Sequence, residues 1–221
     1  MTTHRLELFS DGVFAIAVTL LVLEIKPPEG ENLGRELLDL WPSYAAYVTS
    51  FFTIGIIWVS HHFQFDRTTN VDRPTMFINL FLLMIVAFIP FPTAVLAQNL
   101  QSGQDIAAVA AAFYAGTLFL MSLSFNALAE YIRHRGLIVG ELPEELIHAF
   151  KRKGRVGLVG YLLAVGLAFV SPYLSLALCG AIAIFFALPG RKISRLRAEM
   201  EERATKSDAA PAPPVPPADD R

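Results

Sequence analysis

Arg5-Leu-Glu-Leu-Phe-Ser-Asp-Gly-Val-Phe-Ala-Ile-Ala-Val-Thr-Leu-Leu-Val-Leu-Glu24 is an apolar run of bilayer length whose first turns hold Arg5, Ser10 and Asp11. A bilayer core of about 30 Å needs roughly 20 apolar residues in a helix, and this run supplies them. Charges at the edge of such a span are costly to hold, so they usually have a partner and often a role. No basic n-region followed by a small-residue cleavage site precedes the run, so it reads as a retained span rather than a signal peptide.

The rest of the chain repeats this pattern. Of its 221 residues, 54% are hydrophobic and only 17% charged, and the mean hydropathy is +0.47. An ordinary soluble domain carries about 25% charged residues. Long apolar runs separated by charged clusters indicate an all-α integral membrane protein. Six spans are expected: Glu7 to Ile25, Tyr44 to Phe65, Pro74 to Ala97, Asp105 to Ile132, Val156 to Ser171 and Tyr173 to Leu188. Pro90 and Pro92 predict a kink late in the third span. The last two spans form a hairpin at Pro172 and are short for a bilayer. Glu29 to Leu40 reads as a short amphipathic helix, and Glu141 to Arg155 as a separate interfacial helix. Residues 1–190 are expected to form the six-helix domain. Residues 191–221 form a tail, first basic and then rich in Ala and Pro, which from Asp208 onward cannot bury enough apolar surface to fold.

Charge distribution orients the chain. Sixteen of the 18 Lys and Arg residues fall on the side that holds Arg5, Arg67, Arg73, the segment between spans four and five, and the tail. Only Lys26 and Arg35 fall on the other. The positive-inside rule then places both termini in the cytoplasm.

Helical angles divide the first span into two faces. With Ile16 at zero, Gly12, Thr19, Leu20 and Leu23 all fall within about 60° of it. Asp11 lies about 140° away, and Ser10 about 120° away on the other side. The stripe is either an ordinary packing surface or the wall of a pathway. Ser10 and Asp11 either cap and complement the helix start or join a polar network, in which Arg5 can engage a carboxylate through two hydrogen bonds. A second polar group follows in Trp58-Val-Ser-His61-His62-Phe-Gln-Phe65, at the same end of span two. Adjacent histidines project about 100° apart and do not form an i, i+4 metal-chelating pair. They serve either an interfacial belt or a proton relay. Asn79 in span three is a candidate hydrogen-bond partner. Arg5, Ser10, Asp11, His61, His62 and Asn79 can therefore form one polar cluster at the cytoplasmic side.

No phosphate loop, nucleophile elbow or zinc-helix pattern occurs, which argues against an enzyme. Nothing points to a cofactor, a metal or a nucleic-acid partner. Cys179 is the only cysteine and has no ligand spacing around it. Thr53-Ile-Gly-Ile-Ile shares letters with a potassium filter, but it lies in a continuous apolar helix and lacks the second glycine.

Arg5-x-x-x-Phe9-Ser10-Asp11 at the start of the first span resembles the signature of the transmembrane protein 175 family of potassium channels. The run Gly-Val-Phe-Ala-Ile-Ala-Val-Thr-Leu-Leu-Val-Leu-Glu continues the resemblance, as do Trp58 to His62 and Asn79 to Ala94. The resemblance implies a prokaryotic single-repeat member in the cytoplasmic membrane. Such members are homotetramers whose pore is lined by the first helix and conducts potassium passively. Ile16 would form the constriction, with Leu20 and Leu23 continuing the apolar wall. Thr19 would supply a polar ring linked to selectivity. Arg5, Ser10, Asp11, His61, His62 and Asn79 would form the supporting network, and Phe9 would pack the helix. The expected partners are further copies of the chain, membrane lipids and the permeant potassium ion. The competing reading is a proton-coupled secondary transporter or proton channel that uses Asp11 and His61/His62.

Overall fold

The computed structural model describes residues 3–28, 30–68, 70–138 and 144–188. The tail 191–221 and the first residues of the interfacial helix expected from Glu141 lie outside them. Eight α-helices are described: α1 Thr3–Leu20, α2 Leu33–Asp39, α3 Trp41–Phe65, α4 Arg73–Phe88, α5 Pro90–Asn99, α6 Gln104–His134, α7 Glu144–Ala168 and α8 Pro172–Ala187. A 3₁₀ turn over Leu21–Glu24 extends α1. Four segments are long and apolar enough to cross a membrane: Thr3–Glu24, Trp41–Phe65, Arg73–Asn99 and Gln104–His134. Pro172–Ala187 is a shorter apolar helix.

Local chemistry sets the helix boundaries. Asp72 caps α4 by accepting the Thr75 N–H at 3.0 Å, with Pro74 in the first turn. Proline lacks an N–H, so the ladder breaks at Ile89 and α5 restarts at Pro90. The kink expected in span three is therefore a boundary between two helices. Gly136, at φ 65°, ends α6 in the left-handed conformation. There the Gly136 N–H bonds Arg133 O and the Leu137 N–H bonds Ile132 O, a Schellman closure. Ser171 caps α8, and Pro172 opens it. The amphipathic helix expected in the first loop is α2.

One expectation is corrected. Residues expected as a separate interfacial helix run without a break into span five, and together they form α7. Gly154 does not interrupt the helix. A β-carbon at that position would overlap the Asn126 side chain of α6, so glycine there lets the two helices approach closely. The apolar part of α7 begins only at Val156, after Lys151, Arg152, Lys153 and Arg155.

α6 packs against α4, α5, α7 and α8, and α1 packs against α3 and α4. Phe14, Leu21, Ile54, Leu82, Val86, Leu118 and Met121 are buried where these helices meet. Burial is uneven: 56% of the most apolar stretch of α4–α5 and of α6 is buried, but only 28% of that of α1 and 22% of that of α3. The first two spans therefore leave much of their apolar surface uncovered in the single chain.

Candidate functional site

α1 buries Leu6, Ser10, Phe14 and Ala17, and the turn after it buries Leu21. This four-and-three spacing is one helical face. On the opposite side Gly12, Ile16, Thr19, Leu20 and Leu23 are all exposed, with Ile16 at 61% and Leu23 at 64%. No other part of the chain covers this row among the described residues. The Thr19 hydroxyl donates to Ile16 O at 2.9 Å. Its proton is thus used internally, and its oxygen lone pairs remain on the exposed face, where they can accept a donor or meet a cation. Phe9, expected to pack the helix, is 52% exposed.

Behind this row, three helices are joined by buried polar groups. Ser10 Oγ donates to Leu6 O at 2.8 Å and accepts from Asn79 Nδ2 at 3.1 Å. Asn79 Oδ1 lies 2.8 Å from His61 Nε2. With the Asn79 amide N–H given to Ser10, Oδ1 faces the histidine and accepts from an Nε2–H. Ser10, Asn79 and His61 are all fully buried. The His61 ring stacks on Phe65 at 4.4 Å and meets Phe14 at 5.4 Å, which fixes its plane. His61 Nδ1 is buried and has no hydrogen-bond partner among the described residues.

Asp11 and His62 belong to a second, more exposed group. The Trp58 indole N–H donates to Asp11 Oδ1 at 2.9 Å, and the Trp58 ring stacks on His62. His62 Nδ1 lies 2.9 Å from Glu7 Oε1, and its Nε2 lies 3.5 Å from Asp66 Oδ2. The single cluster expected from sequence is thus two neighbouring ones. Arg5 joins neither: it is exposed and forms no ion pair among the described residues. Glu7, Asp66 and the Trp58 indole were not anticipated as members. The i, i+4 spacing of His62 and Asp66, and of Glu7 and Asp11, was the available signal.

An open groove of about 720 Å³ runs beside α1 and α3. Asp11, Phe14, Phe52, Gly55, Trp58 and, from α8, Phe186 line it.

The profile of the family described as endosomal/lysosomal potassium channel TMEM175 matches residues 5–90, which hold the exposed row of α1 and both polar groups. A potassium channel of Streptomyces collinus is 46% identical over 187 residues, covering 82% of this chain and 90% of that one. A potassium channel of Chamaesiphon minutus is 43% identical over 192 residues, covering 84% and 94%. The crystal structure of a lysosomal potassium-selective channel TMEM175 homologue from Chamaesiphon minutus superposes with a TM-score of 0.74 at 43% identity, covering 84% of this chain and 96% of that one. The endosomal/lysosomal proton channel TMEM175 of Danio rerio is 37% identical over 101 residues, 19% of its own length. In fold, in the matched helices and over nearly the whole length of its bacterial relatives, this chain belongs to the TMEM175 family, a family of potassium channels and not of enzymes.

Proposed function

We propose that the chain is a potassium-permeable cation channel whose pore is lined by α1. The observation that carries this reading is the exposed row Gly12, Ile16, Thr19, Leu20 and Leu23 on a helix whose other face is packed. One row on one helix cannot enclose a pathway, so several copies must contribute. Four copies arranged around an axis, as a homotetramer, turn the row inward. The groove beside Phe52 and Trp58 offers room for a neighbouring chain at that junction. Ile16 then makes the narrowest ring, with Leu20 and Leu23 as further apolar rings. A narrow apolar neck sheds water and closes by dewetting. The Thr19 oxygens form a ring of acceptors one turn from Ile16, suited to a partly dehydrated potassium ion.

The remaining architecture follows from the same reading. Residues 1–190 form the channel domain, and residues 191–221 a cytoplasmic tail. α7 and α8 cross as a fifth and sixth span. α8, at 16 residues, extends only about 24 Å along its axis, shorter than a bilayer core of about 30 Å. The membrane therefore thins beside it, or flanking residues complete the crossing. Both termini are cytoplasmic, and the chain sits among lipids in a prokaryotic cytoplasmic membrane. The transported ion is potassium, and no cofactor takes part. Ser10, Asp11, His61, His62 and Asn79 hold α1 against α3 and α4, and Arg5 lies at the cytoplasmic start of α1.

The test is flux from proteoliposomes. Potassium should move down its own gradient with the proton gradient collapsed. Flux that stops when the proton gradient is removed replaces the channel with a proton-coupled transporter. A proton-conducting reading has one observation in its favour, the buried His61 Nδ1 with no partner. It predicts dye-reported acidification under a proton gradient that His61→Gln abolishes.

A further inference from the structure

The second polar group is more than an ion-paired histidine. One oxygen of Glu7, one ring nitrogen of His62 and one oxygen of Asp66 lie within 4.8 Å of one another. Glu7 comes from α1, whereas His62 and Asp66 stand one turn apart on α3. The i, i+4 placement puts a histidine and a carboxylate on one face, a spacing that lets two side chains share one ion. Glu7 is mostly enclosed: its side chain is 15% exposed, and Oε1 is shut off from solvent without a hydrogen bond. Its approach to His62 Nδ1 is close, but it is not aligned as a hydrogen bond.

The surroundings favour a cation. Glu7, Asp11 and Asp66 bring three carboxylates to this end of the two helices, and none of them forms an ion pair with Lys or Arg among the described residues. Trp58 stacks one face against the His62 ring while its indole N–H is anchored on Asp11. The stacking neighbour therefore helps set the ring orientation. Two carboxylate oxygens and one imidazole nitrogen, with a water completing the shell, match zinc, which binds such ligands at about 2.0–2.2 Å. Glu7 Oε1 faces His62 Nδ1 and Asp66 Oδ2 faces Nε2, so one ring nitrogen takes the ion and the carboxylate on the other side turns to reach it. The nitrogen ligand disfavours magnesium and calcium, which take oxygen.

The geometry points to a Zn²⁺ site formed by Glu7, His62 and Asp66 that clasps the cytoplasmic end of α1 to α3. The site is separate from the Ser10–Asn79–His61 network and from the exposed row of α1. Its existence does not depend on which ion the protein conducts.

The test is isothermal titration of the purified full chain in detergent with zinc chloride. Wild type should bind one Zn²⁺ per chain, undisplaced by excess magnesium. Glu7→Gln and Asp66→Asn should each weaken binding by at least about tenfold while the zinc-free protein still melts cooperatively, and His62→Gln should remove it. If His62→Gln does not fold, the two carboxylate variants decide the matter. Zinc bound with wild-type affinity by the Glu7→Gln/Asp66→Asn double variant would overturn the site. So would a wild-type protein that takes up no zinc at sub-millimolar concentration, because the group would then be an ion pair only.

Discussion

Thr19 and Asn79 show how differently two polar side chains serve the same helix. Thr19 stands on the exposed row with its proton tied to Ile16 O, so what it presents outward is an acceptor. Thr19→Ala should lower the preference for potassium over sodium, read as a shift of reversal potential under bi-ionic conditions. An unchanged reversal potential would move selectivity to another position. Asn79 is buried between Ser10 and His61 and serves both. Asn79→Leu strips a partner from each. A buried polar group left unsatisfied costs about 1–3 kcal/mol, so the variant should lose about 2–5 kcal/mol, visible as a lower melting temperature in detergent. The meeting of Ser10, His61 and Asn79 was legible from their common membrane end. The division of Ser10 from Asp11 was partly legible, since adjacent residues diverge by about 100°. Where Arg5 points was not, because a helical wheel gives a direction and not which side chain reaches a partner. Glu7 reaches His62 first, and Arg5 stays exposed.

At the level of elements, short caps and single glycines decide where helices stop. Asp72 shows the coupling best. The Thr75 hydroxyl, at 2.6 Å, and the Thr75 N–H both donate to Oδ1, while Tyr131 OH donates to Oδ2 at 2.8 Å and Arg135 lies 3.7 Å away. Chiefly through Thr75, these groups hold the Asp72 carboxyl below its ordinary range. A depressed folded-state pKa contributes stability above the unfolded value, and that stability is lost as pH falls through the folded value. Asp72→Asn should therefore lower the melting temperature near neutrality and converge with wild type in acid, which flattens the acid limb of the profile. An acid limb identical to wild type would remove Asp72 as its source. The break at Pro90 was legible because proline cannot continue the ladder. The continuity of α7 was not, since its charged half and apolar half read as two elements. At their junction Gly154 lets α7 lie close to Asn126 of α6, a tertiary feature without a local sequence signal.

At the scale of the whole molecule, the uneven burial of the spans matters most. α6 is enclosed, whereas α1 and α3 leave large apolar side chains uncovered, among them Ile16, Leu23, Phe52 and Val59. Bilayer composition alone tolerates such exposure, because lipid tails are as apolar as leucine. Thr19, in the middle of the row, gives this otherwise apolar face an acceptor oxygen. The all-helical membrane architecture was legible in hydropathy. The assembly was not, because no periodicity within one chain states how many copies surround an axis. If copies meet through α1, Leu23→Cys should form disulfide-linked dimers on mild oxidation in membranes, while the buried native Cys179 should give none. Monomer alone after oxidation would place Leu23 away from any second copy.

The central claim is that α1 lines a potassium-permeable pore whose neck is Ile16. Single-channel recording of purified wild type and Ile16→Asn in planar bilayers tests it most directly. Currents should reverse at the potassium equilibrium potential in both, with the polar neck of the variant staying wet and giving higher conductance and weaker closure. Identical conductance and gating in the two proteins would contradict the claim.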